Sequence, residues 1–164
     1  MSEKIYNVLF ICTGNSARSI LSEGLLNLLG KGRFRAYSAG SHPAGAVNPL
    51  ALAFLARHGL ETAGFRSKSW DEFAKDGAPS LDFVFTVCDK AAGEMCPVWP
   101  GQPMTAHWGV PDPAACEGTD AQKQQAINDA AIALKRRIEL FLSLPIPKLD
   151  TVALQKAVRD IGQS

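Results

Sequence analysis

The chain has 164 residues, of which 46% are hydrophobic and 20% charged, and 17 Lys and Arg residues against 16 Asp and Glu residues leave a formal net charge of +1. This composition is typical of one globular domain and excludes a disordered chain, while the near-neutral charge argues against nucleic acid or an anionic membrane as a partner. Since no apolar run approaches the ~20 residues that span a bilayer and no signal peptide is evident at the start, we expect a cytoplasmic protein with no membrane contact.

Strand and helix patterns alternate along the chain. Runs of β-branched and aromatic residues predict strands at residues 4–12, 33–39, 81–88 and 102–107. Apolar residues at helical spacing predict helices at residues 17–29, 47–58, 69–75, 120–144 and 150–161. This alternation predicts an α/β fold with a parallel sheet and helices on both faces, which binds ligands at the carboxyl ends of its strands.

The loop after the first strand carries a cysteine and an arginine, Cys12 and Arg18, separated by five residues. Inward-pointing backbone N–H groups and the start of the next helix would form a cradle for a tetrahedral oxyanion. Its predicted members are Thr13, Gly14, Asn15, Ser16, Ala17, Arg18 and Ser19. Arg18 would close the cradle with a bidentate fork, and the positive field, with the Ser19 hydroxyl, would favour a nucleophilic Cys12 thiolate. The alternative is a buried cysteine at a strand end, followed by an ordinary helix.

Asp112 lies between two prolines, in the segment Val110-Pro-Asp-Pro113. The prolines stiffen the backbone and would hold this carboxylic acid near Cys12, where it could protonate a leaving oxygen as a general acid. The alternative is a turn aspartate, because Asp-Pro is a common turn signal.

Four cysteines are too few for a disulfide scaffold in a chain of this length, and those besides Cys12 are Cys88, Cys96 and Cys116. With His107 they could supply four zinc ligands, although the closely spaced cysteine pairs of structural zinc sites are absent. Buried structural cysteines and a redox relay of Cys88 and Cys96 are the other hypotheses.

On these residues the chain resembles the low-molecular-weight tyrosine phosphatase superfamily, and within it the thiol-dependent arsenate reductases. The resemblance covers about residues 4–144 and rests on CTGNSARS at 12–19, YSAGS at 37–41, the paired cysteines and HWGVPDPA at 107–114. It implies a three-layer, phosphotyrosine phosphatase I-like fold with strand order 2-1-3-4. We therefore expect a reductase domain over residues 1–144 and a C-terminal helical extension over 145–164.

The resemblance also implies a mechanism and partners. Cys12 would attack arsenate, Asp112 would help water leave, Cys88 would then attack Cys12 and release arsenite, and Cys96 would resolve the disulfide. Thioredoxin would reduce the resulting disulfide, while glutaredoxin with glutathione stays open because the seven residues between Cys88 and Cys96 are one more than in well-known thioredoxin-linked members. Cys116 matches no family role. Arsenic detoxification is the implied purpose, and no cofactor is expected.

Some members of the family bind potassium beside the loop. Asn15, Glu23 and Ser38 match three of the ligands, but Lys68 replaces the acidic fourth one, so that its ammonium could substitute for the cation and we expect no metal. We also expect Trp99 and Trp108 to cover the rim near Asp112.

Two other functions are weighed against arsenate reduction. One is phosphotyrosine hydrolysis, which is disfavoured because Pro113-Ala-Ala115 offers no surface for an aromatic ring. The other is a non-catalytic phosphate-binding module, in which a thiol at the base of the cradle would have no purpose. The Arg136-Arg137 pair is interpreted as part of the solvated face of the long helix.

Overall fold

Four parallel strands form the sheet of this computed structural model, which describes residues 4–87, 103–113 and 116–163. In chain order the strands are β1 (Tyr6–Cys12), β2 (Phe34–Gly40), β3 (Phe83–Thr86) and β4 (Met104–His107). Their spatial order is β2-β1-β3-β4, as predicted, and Cys12 pairs with Gly40 at the carboxyl ends of β1 and β2. All four strands therefore end at one edge of the sheet.

Within the part of the chain that the structure describes, four α-helices pack around this sheet. They are α1 (Arg18–Leu29), α2 (Pro49–Arg57), α3 (Asp120–Leu142) and α4 (Thr151–Ile161). The predicted short helix at residues 69–75 is a 3-10 turn over Trp70–Phe73. The predicted starts of α2 and α3 are explained by caps, because the Asn48 side chain accepts from the first turn of α2 and Thr119 forms a capping box with Gln122.

An aromatic cluster occupies the centre of the core. Phe10, Phe85, Trp108 and Phe141 are fully buried, and the rings of Phe85 and Trp108 stack with centroids 3.9 Å apart and planes 11° apart. The expectation that Trp108 covers the rim near Asp112 is therefore wrong. Burying its large apolar ring against Phe85 is more favourable than leaving the ring exposed to water at the rim. Its indole N–H donates to the Val158 carbonyl oxygen at 2.9 Å. Trp99 lies outside the described residues.

The C-terminal helix α4 packs on the sheet of its own chain. Its apolar stripe, Leu154, Val158 and Ile161, is buried, and the Gln155 side chain donates to the Thr105 carbonyl oxygen of β4 at 2.8 Å. The helix thus covers the outer strand and the start of the loop that follows it. Among the described residues, no helix combines the length and the apolar character needed to cross a membrane.

Candidate active site

The loop between β1 and α1, where the cradle is predicted, turns several of its backbone carbonyls outward. The carbonyl oxygens of Thr13, Gly14 and Ser16 accept hydrogen bonds from backbone N–H groups at positions 42, 44 and 48, each at 2.9 Å. Because C=O and N–H point in opposite directions across a trans peptide, outward carbonyls turn the following N–H groups toward the inside of the loop. Ala17, the N-cap of α1, has no side-chain capping group and the first turn of α1 holds no acidic residue, so the helix start favours an anion.

Asn15 supports the cradle from within. It is fully buried and adopts a left-handed conformation with φ 47°, which asparagine tolerates better than most residues. Its side-chain amide donates to the Ser19 hydroxyl at 2.8 Å. Since the Ser19 oxygen accepts that bond, its own hydrogen is free to donate to the Cys12 sulfur, which lies 3.0 Å away. The geometry places a hydroxyl donor on a thiol that is only 3% exposed, at the base of the cradle.

Arg18 connects the cradle to the loop that carries Asp112. Its side chain is only 15% exposed, and it donates to the Val110 carbonyl oxygen at 3.1 Å. The guanidinium also lies 3.7 Å from the Asp112 carboxylate, which is 46% exposed. The structure therefore brings Cys12, Arg18 and Asp112 to the same edge of the sheet.

A buried charge pair lies behind Asn15. The Lys68 ammonium is 3.5 Å from the Asn15 amide oxygen, 3.4 Å from the Ser38 hydroxyl and 3.8 Å from the Glu23 carboxylate. These three partners are the residues that the resemblance gives as potassium ligands, and the lysine nitrogen lies within 4 Å of each. Burial raises the pKa of Glu23 and lowers that of Lys68, while their mutual attraction and the Ser38 hydroxyl oppose the shift of Glu23.

The remaining cysteines separate into two groups. Cys88 and Cys96 lie outside the described residues. Cys116 is half-buried and lines a cavity of about 290 Å³ beside the start of α2, together with Pro113 and Lys123. Among the described residues no three His, Cys, Asp or Glu side chains converge as a metal site would require.

Two residues of the site were not identified from the sequence. Ser67 donates its hydroxyl to the Gly14 carbonyl oxygen at 3.0 Å, and no local pattern marks it. Arg137 was assigned to the solvated face of α3, which is wrong, because it is half-buried and donates to the carbonyl oxygens of Trp108 and Gly109. Its helical spacing from Leu134 and Phe141, both buried, is the signal that could have revealed this.

Comparison with known proteins identifies the family. The family model described as low molecular weight phosphotyrosine protein phosphatase matches residues 7–140. The chain belongs to this family. The match includes the cradle, Arg18, Asp112 and most of α3, and it ends before α4.

The chain is also similar to proteins named arsenate reductase. One from Halalkalibacterium halodurans is 34% identical over 141 residues, which cover 86% of this chain and 96% of that protein. Among solved structures, "An arsenate reductase in the phosphate binding state" matches with a TM-score of 0.65 and 26% identity, covering 84% of this chain and 97% of the other. A thioredoxin-dependent arsenate reductase from Corynebacterium glutamicum has a TM-score of 0.60 at 24% identity, covering 90% and 66% of the two chains. At that identity the likeness shows the fold alone.

Proposed function

We propose that this protein reduces arsenate to arsenite, with Cys12 as the nucleophile. The observation that carries the proposal is the buried Cys12 thiol beside the Ser19 hydroxyl, at the base of a loop whose carbonyls are turned outward. Arsenate and phosphate are both tetrahedral oxyanions, so one cradle suits either. The proposal is supported by relatives that are named arsenate reductase and resemble the chain over most of its length.

In the proposed first step the Cys12 thiolate attacks arsenic(V) held by the backbone N–H groups of residues 13–19 and by the Arg18 fork. An arsenic–sulfur bond forms and one oxygen leaves as water, with Asp112 supplying the proton. For Arg18 to bind the anion it must share its donors between the anion and the Val110 carbonyl oxygen.

The redox step belongs to the cysteines. The Cys88 thiolate attacks the sulfur of Cys12, the sulfur–arsenic bond breaks, and its electron pair stays on arsenic, which departs as arsenite. The two electrons lost by Cys12 and Cys88 leave them as a disulfide. Cys96 then attacks Cys88 and frees Cys12. The Cys88–Cys96 disulfide is reduced either by the dithiol of thioredoxin or, with glutaredoxin, by two molecules of glutathione.

Phosphotyrosine hydrolysis is the second candidate, since the family model is described as a phosphotyrosine phosphatase. The same Cys12, Arg18 and Asp112 would perform it without Cys88 or Cys96. The segment after the acid, Pro113-Ala-Ala115, lacks an aromatic surface for a tyrosine ring, and this favours the small oxyanion.

The deciding experiment follows arsenate-dependent NADPH oxidation, first with thioredoxin and its reductase, then with glutathione, glutaredoxin and glutathione reductase. We expect turnover with at least one system, and the faster one identifies the donor. Absence of turnover with both, combined with rapid hydrolysis of phosphotyrosine, would make the protein a phosphatase.

Cysteine variants test the roles of the thiols in the same assay. Cys12→Ser should abolish both arsenate reduction and any hydrolysis of aryl phosphates. Cys88→Ala should stop turnover with arsenate while sparing hydrolysis. Cys96→Ala should stop turnover after one cycle when thioredoxin is the donor. Cys116→Ala is the matched control and should leave every rate unchanged. Sustained cycling by Cys88→Ala would refute the relay.

A further inference from the structure

Arg137 reaches from α3 to the chain that leaves β4. Its Nη1 atom donates to the carbonyl oxygens of Trp108 and Gly109 at 2.5 and 2.8 Å. The next carbonyl oxygen, that of Val110, accepts from Arg18 at 3.1 Å. Carbonyl oxygens of three consecutive residues are thus bound by two guanidinium groups, one from the cradle and one from α3.

The same short segment is held on its other sides. The backbone N–H of Trp108 donates to the Thr86 carbonyl oxygen at 2.7 Å, and that of Val110 donates to the Val87 carbonyl oxygen at 3.2 Å. The Trp108 ring is stacked in the core, so residue 108 has little freedom to move. Asp112 follows Val110 by two positions, across a proline that restricts the backbone further.

Arginine suits this position for a physical reason. The two N–H groups of its Nη1 atom donate to two adjacent carbonyl oxygens at once. Hydrogen bonds from a charged donor are stronger than neutral ones. Burial lowers the pKa of Arg137, and the neighbouring Arg136 lowers it further. The Arg137 guanidinium is thus partly desolvated where it binds the backbone. Its hydrogen bonds fix the path of the segment that leads from Trp108 to Asp112.

We propose that Arg137 is a positioning residue for the proposed acid loop: by holding the carbonyls of Trp108 and Gly109 it sets the place of Asp112 relative to Arg18 and the cradle. This inference rests on the proposed function, in which Asp112 protonates the leaving oxygen. Arg137 acts through Asp112 and touches no substrate.

The test is a double-mutant cycle of Arg137→Met and Asp112→Asn, measured as single-turnover formation of arsenite by the fully reduced enzyme, which needs no external donor. A positioned general acid contributes about a hundredfold or more, so partial misplacement of Asp112 should slow Arg137→Met by about tenfold. The same substitution in the Asp112→Asn background should change the rate by less than about twofold, because coupled residues are not additive. Arg136→Met, on the neighbouring exposed position, should leave the rate unchanged.

A tenfold loss that persists in the Asp112→Asn background would overturn the proposal, since Arg137 would then act on the cradle or on stability in general. If Arg137→Met also slowed the alkylation of Cys12 by iodoacetamide tenfold, the proposal would be overturned for the same reason. If Arg137→Met does not fold, Arg137→Lys, which keeps one cationic donor, should give a smaller loss that also vanishes in the Asp112→Asn background.

The cycle is run in parallel on hydrolysis of 4-nitrophenyl phosphate and phenyl phosphate. The loss in Arg137→Met should be greater for phenyl phosphate, whose poorer leaving group depends more on the acid. Hydrolysis without arsenite formation would refute the proposed reductase and leave this inference to be decided by the leaving-group effect. A wild-type enzyme inactive in both reactions would overturn both.

Discussion

At the scale of single residues, the charge pair of Glu23 and Lys68 explains how the cradle is supported from behind. Asn15 receives the backbone N–H of Lys68 on its amide oxygen at 2.9 Å, while its amide nitrogen donates to Ser19 beside the Cys12 thiol. The Lys68 ammonium lies between Asn15, Ser38 and Glu23. A covalently attached cation therefore lies beside the largely buried Glu23 carboxylate.

Glu23 should give the protein a characteristic dependence of stability on pH. Its pKa is raised above 4.5 chiefly by burial, so the folded state binds more protons than the unfolded state above that pH. The free energy of unfolding should therefore fall as the pH rises through the window between 4.5 and the folded pKa. Glu23→Gln should lack this fall when urea unfolding is followed across that range.

Glu72→Gln is the matched control for this prediction. Hydrogen bonds from Arg66 lower the pKa of Glu72, so its contribution is present above pH 4.5 and is lost as the pH falls through the folded pKa. Its substitution should alter the stability curve below pH 4.5 and leave the slope above it unchanged. An unaltered slope above pH 4.5 in Glu23→Gln would refute the assignment.

At the scale of elements, the end of β2 and the β1–α1 loop lie in direct contact. A Cβ atom on Gly40 would lie 2.5 Å from the Thr13 carbonyl oxygen and 3.0 Å from the Asn15 nitrogen, both of them backbone atoms. The YSAGS segment at residues 37–41 thus places its glycine at a position with no room for a side chain, so that strand and loop can approach closely. The cradle is shaped from the neighbouring strand as well as by its own residues.

Gly40→Ala should deform the cradle. We expect a loss of about 2 kcal/mol in the free energy of unfolding, typical of overpacking against atoms that cannot move aside. Added inorganic phosphate should also raise the melting temperature less than it does in the wild type, because binding to the folded state is weakened. Both effects are measured by thermal unfolding with and without phosphate.

Gly64→Ala is the control for this prediction, since nothing lies within 4 Å of its added Cβ. It should be neutral or slightly stabilising and should keep the full phosphate effect. If Gly40→Ala retained both the stability and the phosphate response of the wild type, the close contact would have no role in shaping the cradle.

At the scale of the whole molecule, α4 is joined to the loop of Asp112 through the core. Val158 on α4 accepts from the Trp108 indole, Trp108 stacks on Phe85 of β3, and the Trp108 carbonyl is bound by Arg137 of α3. The predicted boundary between residues 144 and 145 remains a prediction. Helix α4 nevertheless packs on β4, the strand from which the segment carrying Asp112 departs.

The buried apolar side chains of α4 should contribute to the stability of the protein as core residues do. Val158 is fully buried, so Val158→Ala should lower the free energy of unfolding by about 2 kcal/mol through the lost methyl groups and the residual cavity. Val152, on the same helix, is 80% exposed, so Val152→Ala should be nearly neutral. Urea unfolding of both variants checks the prediction, and equal stabilities would show that α4 is not anchored to the sheet.

Much of the architecture could be predicted because it depends on local patterns. Alternating strand and helix signals indicated the parallel sheet, Asn48 before Pro49 marked the start of α2, and the family resemblance supplied the strand order. The cradle at residues 12–19 could be proposed from the sequence because a cysteine and an arginine, five residues apart at a strand–loop–helix junction, form a local pattern. The roles of Cys12, Arg18, Cys88, Cys96 and Asp112, and anion binding by residues 13–19, remain predictions.

The contacts that were missed or misassigned join residues far apart in the chain. Arg137 binds a carbonyl 29 residues away, Ser67 one 53 residues away, and Trp108 one 50 residues away. Helical spacing can indicate that Arg137 is partly buried, but it does not identify the acceptor, because a backbone carbonyl can accept from any donor that folding brings near it. Amphipathic side chains such as Arg and Trp suit the surface and the interior alike, so their environment depends on the packing of α3 and α4 against the sheet.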